Sequence, residues 1–266
     1  MKIESVKLVY FSPTGTSKAV VQGIANGINP DNTELIDITS PDARRQPLET
    51  LENELLIVAV PVYMGRVPAL LNEWLNAIKA KNTPTVCVVV YGNRAYENAL
   101  LELKDIVASC GCLPIAGAAY IGEHSFSDSE TPVALGRPDE DDLNNTKIFG
   151  QKIREKIESV SSISEISGVE VPGSYPYEGV TTLWDVDFIE VSDQCTQCGL
   201  CAEVCPVGAV DSQNSVMIDQ EKCITCCACI KNCPEKARTI KESPVREAQK
   251  RLINLYKEPK KPECFL

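Results

Sequence analysis

"CTQCGLCAEVCP" at residues 195–206 and "CITCCACIKNCP" at residues 223–234 repeat one pattern, C-x2-C-x2-C-x3-C-P. The first ladder holds Cys195, Cys198, Cys201 and Cys205, closed by Pro206; the second holds Cys223, Cys226, Cys229 and Cys233, closed by Pro234. Two-residue gaps let a tight turn aim three thiolates at one cuboidal iron–sulfur cluster, and the proline after the fourth cysteine turns the chain away. In two-cluster proteins with this spacing, the fourth cysteine ligates the other cluster. Cluster one is therefore expected to take Cys195, Cys198, Cys201 and Cys233, and cluster two Cys205, Cys223, Cys226 and Cys229. Zinc is the competing reading of a CxxC pair, but zinc frameworks do not account for a doubled four-cysteine ladder with terminal prolines. The expectation is a small α+β domain over residues 191–240 with two [4Fe-4S] clusters.

One cysteine is out of step. Cys227 stands where the first ladder has Gly199. Its plain reading is a small hydrophobe packed beside a cluster; the alternative is a replacement ligand or a thiol that tunes the cluster.

The rest of the composition sets limits. A chain of 266 residues has room for two domains. A net charge of −11 argues against non-specific nucleic-acid binding, which needs Lys and Arg to neutralise phosphates. The last stretch, 235–266, reverses that balance with nine basic and five acidic residues. It reads as the solvated face of a final helix or as a docking surface for an acidic partner. "MKIESVKLVY" lacks an apolar signal-peptide region, and runs such as "LLIVAVPV" are too short to span a bilayer. A prenylation signal needs its cysteine fourth from the end, and Cys264 is third. A cytoplasmic protein without membrane insertion is expected, its 13 cysteines mainly thiols or metal ligands.

Upstream of the ladders the hydrophobic period changes. "VKLVYF" (6–11), "TELIDI" (33–38), "ELLIVAV" (54–60), "TVCVVVY" (85–91) and "PIAGAAYI" (114–121) read as strands apolar on both faces, as in a buried parallel sheet. Helical patterns at 16–28, 68–80, 95–110 and 143–160 alternate with them, which predicts an α/β, doubly wound sheet over residues 1–160. Its ligand belongs at the carboxyl ends of the strands. The first strand runs into "SPTGTSK" (12–18) without a dinucleotide or Walker motif. Ser12, Thr14, Gly15, Thr16 and Ser17 instead make a hydroxyl-rich loop at a helix N-terminus, suited to a phosphate. A capped strand-to-helix turn would look similar.

S-x-T-G-x-S directly after strand one resembles the flavodoxin phosphate loop, and "PVYMGRVP" (61–68) and "YGNRAYENA" (91–99) lie where flavodoxins contact the flavin ring. More broadly, the chain resembles a family of flavodoxin–ferredoxin fusions of anaerobic microbes, on "FSPTGTSK", "PVYMGRVP", "YGNRAYENAL", "GEHSFS", "GRPDEDD" and the double ladder. The resemblance implies a flavodoxin-like five-stranded sheet of order 2-1-3-4-5, one FMN and two [4Fe-4S] clusters. It assigns flavin contacts to Pro61, Tyr63, Met64, Gly65, Tyr91, Gly92, Asn93 and Tyr96, with the Met64–Gly65 peptide turning a carbonyl toward N5. Two positions depart from the pattern: Thr16 stands where asparagine is common, and Trp74 falls on a helix instead of at the ring.

His124, the single histidine, follows strand five; it reads as structural or as a flavin-edge contact. Arg66 and Arg94 read as surface charges or as partners of the FMN. Residues 161–190, rich in Ser, Gly and Pro yet holding Tyr175, Tyr177 and Trp184, read as a connector wrapped along the domain interface. Residues 243–257 form a helix with Val245, Ala248, Leu252, Leu255 and Tyr256 on one face. The combination reads as an electron carrier serving redox partner proteins, with no catalytic residue. The runner-up is an FMN-dependent reductase fed by the clusters, and a redox sensor stands third. Oligomeric state is left open, a dimer included.

Overall fold

The computed structural model describes residues 3–51, 53–178 and 185–266; Trp184 falls outside them. Five strands form the parallel sheet: β1 (Ser5–Tyr10), β2 (Asn32–Asp37), β3 (Glu54–Pro61), β4 (Thr83–Tyr91) and β5 (Cys112–Ile121). They neighbour in the order 2-1-3-4-5, the doubly wound order of flavodoxin-like sheets. Between and after them come α1 (Thr16–Ile28), α2 (Asn72–Asn76), α3 (Ala99–Ser109) and α4 (Glu140–Glu158). Residues of β4, and of β3 up to Val60, are buried because helices cover both faces. β2 is different: at the edge it leaves most of its residues exposed, Leu35 included.

The two apolar layers are separate. Val58, Val60, Val89, Trp74, Leu100 and Leu103 pack on the α2–α3 side, and Leu55, Ile57, Val88, Val20, Phe149 and Ile153 on the α1–α4 side. α1 and α4 approach so closely that a Cβ at Gly27 or Gly150 would run into the facing backbone.

Three expectations are corrected. The sheet has six strands, because β8 (Glu263–Phe265) adds antiparallel to β5, pairing Phe265 with Gly117. It covers an edge that would otherwise present unpaired backbone groups. The helix expected at 68–80 is only a 3-10 turn, Ala69–Leu71, followed by α2. Past it, the Lys79 N–H donates to Leu48 O at 2.8 Å, so the chain leaves the helix to pair with the 48–50 segment. α4 begins at Glu140 instead of 143, because Asp139 and Asp142 close a capping box there.

The ladders fold as a second unit. β6 (Ile189–Val191) pairs antiparallel with β7 (Arg238–Ile240), and two short helices, α5 (Leu200–Glu203) and α6 (Ala228–Lys231), follow the cysteine loops. The repeat extends to the backbone. Gln197 and Thr225, Gly199 and Cys227, and Gly208 and Lys236 are pairs 28 residues apart, and all six have positive φ. α7 (Pro244–Leu255) buries Val245, Ala248 and Gln249, whereas Leu255, expected on its apolar face, is 63% exposed.

The ladder unit docks on the loop after β5. Lys231 Nζ meets Glu123 and the Ser127 carbonyl, Gln249 Nε2 donates to Phe126 O at 2.5 Å, and Arg246 pairs with Asp128 at 3.3 Å. On the far side Arg44 Nη2 donates to Pro206 O at 2.6 Å. The described part of the connector before residue 179 lies elsewhere than expected. Its Val169 N–H donates to Pro114 O and its Tyr177 hydroxyl to Asp105 at 2.7 Å, so it follows β5 and α3.

Candidate functional site

Where the strands end, a cavity of about 610 Å³ opens between the two units, a volume in the range of cofactor sites. Ser12, Pro13, Thr14, Thr16 and Ser17 form its first wall. Gly15, at φ +85°, caps α1 in a left-handed conformation and lets the chain turn from strand to helix without itself lining the cavity. The Ser12 hydroxyl accepts from Lys18 N–H at 3.1 Å, and Ser12 N–H donates to Thr39 Oγ1 at 2.9 Å, which fixes the loop. N-cap Gly15 has no side chain and no acid lies in the first turn of α1; with Lys18 N–H taken by Ser12, the Thr16 and Ser17 amides are left for a ligand among the described residues. Ser17 is 1% exposed, and its hydroxyl has no partner among the described residues. A buried hydroxyl left so is costly; beside free helix amides it fits an oxyanion such as the FMN phosphate.

Pro61, Val62, Tyr63 and Met64 form the second wall. Tyr63 and Arg66 exchange backbone hydrogen bonds at 3.0 Å around Met64 and Gly65, both at positive φ, which makes a tight hairpin turn. Gly65 does not reach the cavity; it lies against Glu97. The Tyr63 hydroxyl is pushed well above its ordinary pKa by burial and by the nearby Cys226 and Cys227. Tyr63 thus stands between the cavity and the second ladder.

The third wall holds Tyr91 and Gly92, and burial beside Glu263 pushes the Tyr91 hydroxyl up to about 12. The other two residues expected here serve a different purpose. Asn93 Nδ2 donates to the carbonyls of Tyr256 and Glu258, and its Oδ1 accepts from Lys260 N–H. Tyr96 donates to Glu263 at 3.0 Å. Both hold the C-terminal tail that becomes β8, and neither lines the cavity. Arg66 pairs with Glu102, at 2.6 and 2.8 Å, and Arg94 with Glu97 at 2.7 Å, and neither lines the cavity.

Gly122–Phe126 make a fourth wall, of which only His124 was singled out from the sequence. The Phe126 N–H donates to His124 Nδ1 at 3.0 Å, leaving the proton of the neutral ring on Nε2. Burial, then the charges of Lys231 and Arg94, lower the imidazole pKa to about 4. His124 packs on Gly92, where a Cβ would strike the ring.

The fifth wall belongs to the ladder unit: Val207, just after Pro206, and Lys222, Ile224 and Thr225, around Cys223. Sequence reasoning missed these residues. Ile224 and Thr225 sit in a two-residue gap of the second ladder, but only the docking of the two units puts them on the cavity.

The eight ladder cysteines sort into two rings. Cys205, Cys223, Cys226 and Cys229, joined by Cys227, line one small cavity, and Cys195, Cys198, Cys201 and Cys233 another. Among the described residues no three or more His, Cys, Asp or Glu converge as for a single metal ion; each foursome surrounds a space instead. Ring two accepts backbone hydrogen bonds, from Thr225 to Cys223, Ala228 to Cys226, and Ala209 to Cys205 at 3.2 Å. Cys227 is 2% exposed, and its thiol reaches only toward Thr225 O at 3.7 Å.

Residues 189–211 match the family model of the 4Fe-4S binding domain. The match covers the first ladder and ends before the second. No curated protein matches the chain. Among solved structures, an archaeal flavodoxin is similar at 19% identity, over 58% of this chain and 99% of its own, with a TM-score of 0.40. The Fusobacterium nucleatum flavodoxin bound to flavin mononucleotide is similar at 14% identity, over 59% and 98%, with a TM-score of 0.37. Among the described residues no helix is long and apolar enough to cross a membrane.

Proposed function

We propose that this chain is an electron-transfer flavo-iron–sulfur protein that holds FMN in the 610 Å³ cavity and a [4Fe-4S] cluster in each cysteine ring. It passes low-potential electrons between these centres and redox partner proteins. The observation that carries this reading is the cavity's double ownership: a phosphate-type loop with a buried, unpartnered Ser17 hydroxyl on one side, and Val207 and Ile224 of ring two on the other.

When bound, FMN exchanges one or two electrons and each cluster one. Ser17, Thr14 and the first amides of α1 would hold the phosphate, and Tyr63 would offer a ring for stacking against the flavin, while Tyr91 is buried against Tyr96. Val207 and Ile224 keep water from the space between flavin and ring two. Carrying both kinds of centre on one chain makes the transfer between them intramolecular, at high effective concentration. Exchange with partners belongs to ring one, where Cys198 is exposed.

Analysis of FMN, iron and acid-labile sulfide in anaerobically purified protein tests the reading. About one FMN and about eight irons per chain are expected. Eight irons without flavin would reduce "SPTGTSK" to a capped turn and remove the FMN half of the proposal.

A further inference from the structure

Arg238 opens β7 and is 3% exposed. One of its terminal nitrogens, Nη2, donates to the Ser215 carbonyl, and Ser215 is itself held by its N–H donating to Gln197 Oε1 at 2.9 Å. The other, Nη1, is buried without a hydrogen-bond partner, and among the described residues the guanidinium forms no ion pair. A buried cation with no counter-charge is strongly unfavourable. This one lines the ring-one cavity beside Cys195, Cys198, Cys201 and Cys233.

The internal repeat makes the residue conspicuous. The position 28 residues earlier is Val210, which lines the ring-two cavity. The same site in the repeat is therefore apolar beside one ring and cationic beside the other.

We propose that Arg238 is the built-in counter-cation of cluster one and holds its reduction potential above the value it would otherwise have. The inference rests on the reading that a [4Fe-4S] cluster fills ring one. Reduction adds one electron to that cluster and moves no atom, so the only change is one further negative charge. A fixed guanidinium interacts more favourably with the more negative state, and an N–H directed at cluster sulfur acts in the same direction. The residue positions charge and takes no part in the transfer itself.

The test uses the full chain, loaded anaerobically, as Arg238→Val (the repeat's own solution) and Arg238→Lys. Iron content is measured first, then each cluster's potential by redox titration followed by EPR. At the wild-type midpoint of cluster one, Arg238→Val should lower its ratio of reduced to oxidised cluster at least tenfold, about 59 mV for one electron. Arg238→Lys, which keeps the charge, should stay within about threefold, and cluster two should move less than cluster one in either variant. Arg238→Val with full iron and a ratio within twofold of wild type overturns the proposal, as does loss of cluster one from both variants, which would make the residue purely structural. Failure of the underlying reading is distinguishable, because wild-type protein would then lack the second set of four irons.

Discussion

The two cysteine rings come from one repeated segment, yet they sit in opposite surroundings. In ring two all four cysteines are 8 to 9% exposed, whereas in ring one Cys198 is exposed and Cys195 and Cys233 are half-buried. The cause is docking, not local sequence. Ring two's loops carry Val207 and Ile224 into the seam with the α/β unit, and α6 is braced by Lys231 against Glu123 and Ser127. Ring one faces outward from the same unit. A duplicated cluster motif thus acquires an inner and an outer member by choosing which copy to bury against a neighbour.

The sharpest way to break this comparison is to empty each ring separately. Cys226→Ser should disorganise the wall formed by Ile224 and Thr225, and losing one or two buried apolar contacts costs about 2–3 kcal/mol. FMN should then bind about 30- to 150-fold more weakly. Cys198→Ser, whose ring contributes nothing to the cavity, should leave FMN affinity within about threefold. Flavin fluorescence titration of both variants decides it, and equal weakening in the two would show that the rings are not inner and outer in any functional sense.

The opposite wall of the same cavity offers a smaller and cleaner effect. Ser17→Ala removes a hydroxyl that has no partner among the described residues and that the proposed reading gives to the FMN phosphate. A hydrogen bond to a charged group is worth about 1.5–3 kcal/mol, so FMN should bind at least about tenfold more weakly. The flavin-free variant should unfold at the same denaturant concentration as the wild type or slightly higher, because an unsatisfied buried group is gone. Unchanged FMN affinity would mean that Ser17 faces no phosphate, and would leave ring two's wall as the main determinant of binding.

Legibility in the sequence followed the same inner and outer division. The ladders could be read because cluster geometry dictates their spacing, and β3 and β4 because a buried parallel strand must be apolar on both faces. "SPTGTSK" was readable as a loop that starts a helix. What could not be read depends on long-range docking. β8 is three residues, "ECF", with no period of its own; it is a strand only because β5 presents an open edge. Asn93 and Tyr96 have the right place and chemistry for a flavin contact, but the tail claims them. Lys222, Ile224 and Thr225 look like filler between cysteines until the two units meet.

The smallest expected effect concerns the residue where the two copies differ most visibly. Cys227 occupies the position of Gly199, and both cap the short helix inside their ladder in a left-handed conformation, at φ +58° and +81°. That conformation costs a non-glycine residue about 1–2 kcal/mol. The thiol offsets part of this by burial in the apolar packing around ring two, and its contact with Thr225 O is too long to add much. Cys227→Gly would relieve the backbone, lose the packed side chain and add about 0.5–1 kcal/mol of glycine's own entropic cost. These terms nearly cancel, so stability should change by no more than about 1 kcal/mol. Iron content should stay at about eight per chain, because the ladder spacing already supplies four cysteines to ring two, with Cys227 a fifth cysteine beside them on the same cavity. A fall to about four irons would make Cys227 a ligand or a necessary neighbour of one, and the equivalence of the two copies would then end at the cysteines themselves.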